Sequence, residues 1–480
     1  MATKKNAKAA VKEWKHEAGW KQLDKGEEKV LEAYCQDYLA FISANKTERL
    51  VCASLKATAV KQGFKDIETI GNARLKPGAK VFRTIDDKTI LMAIVGKAPL
   101  EEGLNLVGAH GDCPRLDLKP CPLYEDGGLV LLDTHYYGGI KKYQWVTIPL
   151  ALYGVVVRRD GTKVTVAIGD KPGDPVFTIT DLLPHLDIEQ YERKMREAIK
   201  GEKLNVVFGS RPAEVAEGDK NAPKKAAKHR ILQLLAQEYG IEEEDFASAE
   251  LEVVPAGAAR ELGFDRSMLL GYGQDDRVCA YAAARAVLDY KGIPARTIGA
   301  LVCDKEEIGS VGRTGMDSTF LANTVAELLA ATAPAYSDLA LRRCLEHTKM
   351  LSADVGSLYD PDYANAFSPN DNQGKLNCGI LISKYDGARG KSGASDASAE
   401  LVAQVRRIFN EANVAWQMSE LGKVDVGGGG TISLYMAHYG IQVLDCGVGL
   451  LCMHAPWEIS GKLDAYMAYK GYAAFLEKAS

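Results

Sequence analysis

The spacing of apolar positions divides the chain into stretches of different character. Over the first 65 residues, Val30, Leu31, Tyr34, Tyr38, Leu39 and Ile42 recur at three- and four-residue intervals, which predicts helix. Between about residues 80 and 135 the apolar runs are short and end in Gly, Pro or Asp, which predicts strands. Strands are also expected at Thr147–Leu152 and Gly154–Val157, with a hairpin turn at Arg159–Thr162. Arg211 to Lys228 is polar, rich in Lys and Ala and broken by prolines, as in an exposed excursion. Ile231 to Tyr239 reads as a short amphipathic helix.

From about residue 251 the pattern changes. Helices are expected at Val278–Leu288, Thr319–Ala330 and Ala394–Asn410, the last capped by Ser395 or Asp396. Strands fit between them at Ile298–Cys303, Ile380–Ser383 and Gln442–Asp445. Such alternation predicts an α/β fold with a mostly parallel central sheet flanked by helices. The strand-rich stretch interrupts it, so the expected organisation is a catalytic domain in two parts, 1–120 and 255–480, with a β-rich domain, 121–254, inserted. The length, 480 residues, is itself too great for one ordinary core.

Composition narrows the function classes. Hydrophobic residues make up 46% and charged residues 26%, with a net charge of −5, which suits a soluble globular protein and disfavours nucleic acid or anionic membrane as the main partner. No apolar run approaches the roughly 20 residues that span a bilayer. The Lys- and Ala-rich start, Met1 to Lys15, lacks the apolar centre of a signal peptide, and the ten cysteines lack CxxC spacing. A cytoplasmic protein with reduced thiols is expected.

Candidate chemistry is scattered along the chain but of one kind. His110 and Asp112 end an apolar run, Glu306 and Glu307 follow another, and Asp275, Asp354 and His454 lie near strand ends or loops. Taken singly, each reads equally well as a cap, a solvated charge or a structural His. Five segments that each deliver His or an acid fit the needs of a two-metal site. Like charges such as Glu306 and Glu307 are costly side by side unless a cation offsets them. One carboxylate of such a pair can bind metal while its neighbour takes a proton from water. Asp112 is placed to orient His110 by accepting its second ring N–H. The run Gly427–Gly430 with Thr431 lacks the lysine and spacing of nucleotide loops. It is read as a tight turn bringing backbone amides near a substrate.

In order and wording these motifs resemble the aspartyl aminopeptidases, a family of dinuclear metallo-aminopeptidases. The resemblance covers nearly the whole chain: Ala109-His-Gly-Asp-Cys-Pro114, Leu116-Asp-Leu-Lys-Pro120, Tyr137-Gly-Gly139, Asp275-Asp-Arg277, Glu306-Glu-Ile-Gly-Ser310, Ser352-Ala-Asp354, Gly430-Thr431 and Met453-His454. It implies that Asp275 bridges two divalent ions, zinc before cobalt or manganese. It also implies that His110 and Asp354 complete one metal site, Glu307 and His454 complete the other, and Glu306 is the general base. The implied fold has an inserted dimerisation domain, and the implied assembly is dimers arranged as a dodecamer. His185, within Asp181–Leu186, is implied to reach a neighbouring subunit's active site. Gly111, Cys113, Gln274 and Asp276 depart from the family's usual wording, as in a divergent bacterial-type branch. If the family's preference for N-terminal Asp or Glu holds, Lys384 is the candidate cation for that side chain, with Arg389 and Lys391 behind it.

The expected function is removal of the N-terminal residue from peptides. The alternatives are a dinuclear deacylase or carboxypeptidase, which binds a free carboxylate instead of a free amine, and a scaffold of the same fold without activity.

Overall fold

The computed structural model describes residues 18–71, 73–214, 223–333, 335–368 and 370–479. The Lys- and Ala-rich start at Met1–Lys15 and part of the polar excursion, 215–222, lie outside them. The fold is mixed α/β. The first helix, Lys25–Ala44, begins where the Asp24 carboxylate accepts the backbone N–H groups of Gly26 and Glu27 at 2.7 and 2.9 Å. It buries Leu31, Tyr34, Tyr38, Leu39 and Ile42 as the spacing predicts, whereas Val30 is exposed. Thr47 caps the next helix, Glu48–Lys61.

A nine-stranded sheet organises the chain, in the order Lys65–Asp66, Lys80–Ile85, Thr89–Ile94, Thr297–Cys303, Leu104–His110, Lys349–Ser352, Gln442–Gly447, Ile380–Ser383 and Trp416–Met418. Its four middle strands, from Thr297–Cys303 to Gln442–Gly447, run parallel. Every position of Leu104–His110 and Thr297–Cys303 is buried, because helices cover both faces. Alternate residues serve opposite faces. Val107, Ala109, Ile298, Ala300 and Val302 pack with helices Gln274–Leu288 and Lys462–Lys478, while Leu104, Leu106, Leu301 and Cys303 pack with helices Phe320–Thr332 and Asp338–Glu346.

A second, seven-stranded sheet takes its strands from residues 115–255, and all its pairings are antiparallel. It has its own apolar cluster around Leu116, Leu132, Trp145, Leu152 and Val253. The two strands expected at 147–152 and 154–157 are one, Leu150–Val157. Gly154 does not end it but sustains it, since a Cβ there would lie 1.9 Å from the Glu250 carbonyl oxygen of the neighbouring strand. The hairpin turn at Arg159–Thr162 is present, with Gly161 at φ +84°.

Two further expectations are corrected. The helix expected from Ala394 starts at Ala399, and its cap is Ser398 rather than Ser395 or Asp396. The backbone before it is already engaged with the chain after Ile380–Ser383: Asp396 bridges Tyr385, and Ala397 N–H donates to Lys384 O at 2.9 Å. A third sheet of five short strands was not anticipated. Its strands Met268–Gly271, Glu458–Gly461 and Gly449–Leu451 bring the last quarter of the chain beside the turn that carries Asp275.

Candidate metal centre

Parallel strands end together, and their carboxyl ends carry the candidate ligands. Register pairs Cys303 with His110, and Ser352 with Gly108 and Asp445. His110 therefore stands beside the turn holding Glu306 and Glu307, and beside the segment leading to Asp354. Asp275 precedes the regular part of the helix Gln274–Leu288, with non-helical angles of φ −80° and ψ 107°. Gly447 lets Asp354 approach, since a Cβ at that position would lie 1.7 Å from the Asp354 carbonyl oxygen.

The two imidazoles face Asp275 from opposite sides. His110 Nε2 lies 3.2 Å from Asp275 Oδ1, and His454 Nε2 lies 3.1 Å from Asp275 Oδ2. Asp354 Oδ1 and Glu306 Oε2 stand 3.7 and 4.0 Å from His110 Nε2, and Glu307 Oε2 stands 3.4 Å from His454 Nε2. The other nitrogen of each ring has an acceptor. His110 Nδ1 is 3.0 Å from the Asp112 carbonyl oxygen and 3.2 Å from its carboxylate, and His454 Nδ1 is 2.9 Å from the Gly139 carbonyl oxygen. With the proton on Nδ1, each ring aims an Nε2 lone pair at the shared carboxylate.

These groups suit bound cations. His110 Nε2 and Glu307 Oε1 are buried and make no directed hydrogen bond. Two groupings have ligand atoms within 4.8 Å of one another: His110, Asp275 and Glu307, and His110, Glu306 and Asp354. The donor set of imidazole and carboxylate is one that zinc, cobalt or manganese accepts. The pocket also shifts the titration of its members. Burial, then the charge of Asp354, pushes the Glu306 carboxyl up to about 8. Burial opposes the charged form of His454, but Asp275 and Glu307 outweigh it and raise its pKa to about 11. A site that holds a proton this firmly favours positive charge.

Asp112 also contacts groups other than His110. Its carboxylate accepts Tyr137 O–H at 2.8 Å and the backbone N–H groups of Glu306 and Glu307, each at 3.2 Å. Burial alone would raise its pKa; His110, Tyr137 and Arg115 outweigh that and lower it. Glu458 is a second clamp, accepting the N–H of His454 at 2.7 Å and of Asp275 at 3.1 Å. Tyr137 and Glu458 were not anticipated as site residues. Tyr137 lies in a motif that the resemblance includes, whereas the role of Glu458 depends on the third sheet, whose pairing sets it beside Gly271 and so near the distant Asp275.

A cavity of about 480 Å³ opens from this centre, lined by Asp275, Glu306, Glu307, Asp354 and His454 and also by Asp386, Glu420 and Asp445. Gly430 and Thr431 line it too, and Thr431 O–H donates to Asp445 at 2.6 Å. Lys384 is not among the lining residues; its ammonium is 4.0 Å from Asp396. His185 is exposed and lies outside the lining of this cavity.

Residues 41–476 match the family profile described as aminopeptidase I zinc metalloprotease (M18). A probable M18 family aminopeptidase 1 of Clostridium acetobutylicum is 50% identical over 468 residues, covering 97% of this chain and 98% of its own length. The crystal structure of an M18 family aminopeptidase from Thermotoga maritima superposes with a TM-score of 0.91 at 44% identity, covering 97% of this chain and all of that one. A yeast mApe1 dodecamer structure shares the fold at 20% identity, with a TM-score of 0.73 over 94% of this chain and 97% of that one. With the family profile spanning both the sheet and every candidate ligand, the chain belongs to the M18 family of zinc aminopeptidases.

Proposed function

We propose that this aminopeptidase releases the N-terminal residue of peptides at a two-ion centre, with Glu306 as general base. The observation that carries the reading is the arrangement around Asp275: one carboxylate faces two imidazoles whose Nδ1 positions are already fixed. His110, Asp275 and Asp354 would hold one ion, and Asp275, Glu307 and His454 the other, zinc being the first candidate. When bound, such ions polarise the scissile carbonyl and acidify water. Glu306 lines the cavity, and although its carboxylate also lies close to His110 and Asp354, this reading assigns it to proton transfer and not to a ligand set. Its role is to take the proton of the attacking water on Oε2 and deliver it to the leaving amine nitrogen. Asp112 fixes the ring of His110 and the backbone of the Glu306–Glu307 turn at once, so base and ligands keep one relative position.

Several features support further parts of the reading. Residues 121–254 would form an inserted dimerisation unit. Leu182, Leu183, Leu186, Ile188, Tyr191 and Met195 present exposed apolar side chains in one stretch, a surface that a second copy would cover. His185 lies within that stretch, and in a dimer it would serve the partner's cavity, with dodecamer assembly as the larger form. An acidic N-terminal side chain would require Lys384 to turn from Asp396 into the cavity. The cavity lining includes no arginine among the described residues, so a free substrate carboxylate, as in the carboxypeptidase alternative, lacks its usual partner.

Hydrolysis of a peptide with a free amino terminus and of its N-acetylated form, with added zinc, cobalt or manganese, tests the reading. Release of the first residue from the free peptide alone is expected. Faster cleavage of the acetylated form would overturn it.

A further inference from the structure

The turn that carries Glu306 and Glu307 is held from outside itself. Lys305 before it and Ser310 after it have left-handed backbone angles, φ +70° and +58°, which residues with a side chain adopt only at a cost. On the entry side, the Asp112 carboxylate accepts the N–H groups of Glu306 and Glu307. On the exit side, Gly309 N–H donates to Glu306 O at 2.8 Å, and Ser310 N–H donates to Lys305 O at 2.7 Å. The peptide group between Gly309 and Ser310 is thus tied at its N–H. Tyr435 O–H ties its other end, donating to Gly309 O at 2.8 Å.

Tyr435 comes from a segment more than a hundred positions away, the short helix Ser433–Ala437. That helix is fixed to the body of the protein. Ile432 and Met436 are fully buried in the cluster that holds Leu104, Leu106 and Phe320, and Thr431 accepts the Ser433 N–H at 3.2 Å while donating to Asp445. Tyr435, Glu306 and Gly309 all line the cavity. Tyr439, one helical turn further on, makes a bond of the same kind to a different target: its O–H donates to Ser318 O at 3.0 Å, beyond the turn that carries the two acids. Apolar burial does not hold the exit of that turn, since Ile308 and Val311 are exposed. A Cβ at Gly309 would meet no atom within 4 Å, so there is open space beside the peptide that Tyr435 ties.

Resting on the aminopeptidase reading above, we propose that Tyr435 is a positioning residue for the general base: its hydroxyl fixes the Gly309–Ser310 peptide and with it the direction in which Glu306 meets the attacking water. Asp112 sets the entry of the turn and Tyr435 its exit. Without the phenol the exit can relax into the open space beside Gly309, and Glu306 loses its aim. The effect belongs to proton transfer. The ligand Glu307 keeps its N–H on Asp112, and the other ligands come from separate segments.

The test compares Tyr435→Phe with Tyr439→Phe in the zinc-supplemented full-length protein, on whichever of the Leu-, Lys-, Met- and Glu-p-nitroanilides the wild type cleaves fastest. Both variants keep the ring and lose one hydroxyl bonded to a backbone carbonyl, so a purely structural role predicts the same outcome for both. Turnover is counted per zinc-loaded chain, which removes any difference in folded fraction. In Tyr435→Phe, kcat should fall by about 10- to 100-fold, as for a misaimed base, while KM stays within about twofold. Zinc per chain should equal that of the wild type. In Tyr439→Phe, kcat should stay within about twofold of the wild type. An unchanged kcat in Tyr435→Phe, an equal loss in both variants, or loss of zinc from Tyr435→Phe would each overturn the inference and leave the aminopeptidase reading standing. Failure of the wild type to cleave any of the four would instead defeat the aminopeptidase reading itself, and this inference with it.

Discussion

At the scale of single residues, the proposed function gives two adjacent acids, Glu306 and Glu307, different tasks. Glu307 lies against His454, whereas Glu306 opens onto the cavity with Asp354 as its charged neighbour. Glu306→Gln should keep both ions, measured by metal analysis of the purified protein, while turnover falls by about 10²- to 10⁴-fold. Loss of one ion per chain would mean that the two glutamates exchange roles. Tyr137 tests the support behind the ligands. Its hydroxyl is one of the donors holding the Asp112 carboxylate, so Tyr137→Phe leaves that buried acid short of a partner. Metal affinity, read by chelator competition, should weaken by about 10- to 100-fold, the usual effect of losing an outer hydrogen bond in such a site. An unchanged affinity would show that Asp112 is held well enough by the backbone of Glu306 and Glu307. The residue types at His110, Asp275, Glu307, Asp354 and His454 are legible in sequence, because metal chemistry admits few side chains. Glu458 is not, since a carboxylate that accepts two backbone N–H groups has no local signature.

At the scale of elements, helix faces follow spacing and strand ends follow contacts. Leu31, Tyr34, Tyr38, Leu39 and Ile42 form the buried face of their helix because three- and four-residue steps put them on one side. The true start of the helix at Ala399 could not be read this way, because the preceding residues are held by a bridge from Tyr385 to Asp396. The last helix, Lys462–Lys478, carries Asp464, fully buried, whose two oxygens accept N–H groups from Asn377 and Gly379 at 2.8 and 2.7 Å. Burial raises its pKa from 3.8 to about 7. The folded state thus binds this proton more tightly than the unfolded state does. The resulting stability is fully present below about pH 4 and is lost as pH rises through about 7. Asparagine offers one acceptor for two donors, so Asp464→Asn should destabilise the fold by about 1–3 kcal/mol. Denaturant unfolding should show that the gap between wild type and variant is wider at pH 5 than at pH 8, and a gap independent of pH would remove burial as the cause.

At the scale of the whole molecule, the decisive question is whether one chain makes a complete site. His185 lies outside the cavity of its own chain, in an exposed apolar stretch, so a catalytic role for it requires a partner. Two inactive variants, His185→Ala and Glu306→Gln, mixed under conditions that exchange subunits, should regain activity, because one site of each mixed dimer then has both an intact base and an intact partner histidine. No recovery after proven exchange would confine His185 to a structural role. The sequence alone determined the α/β alternation, the strand-rich middle of the chain and the kinds of candidate ligand, because periodicity and metal chemistry are local properties. It also carried the family through the order of its motifs. Only the tertiary structure decided how those ligands meet. Register between distant strands set His110 beside Cys303, a third sheet brought Glu458 to Asp275, and packing turned Lys384 to Asp396 while leaving Asp386 and Asp445 in the cavity. The reason is physical: strand pairing and the burial of charge join residues hundreds of positions apart, and no local pattern encodes which of them become neighbours.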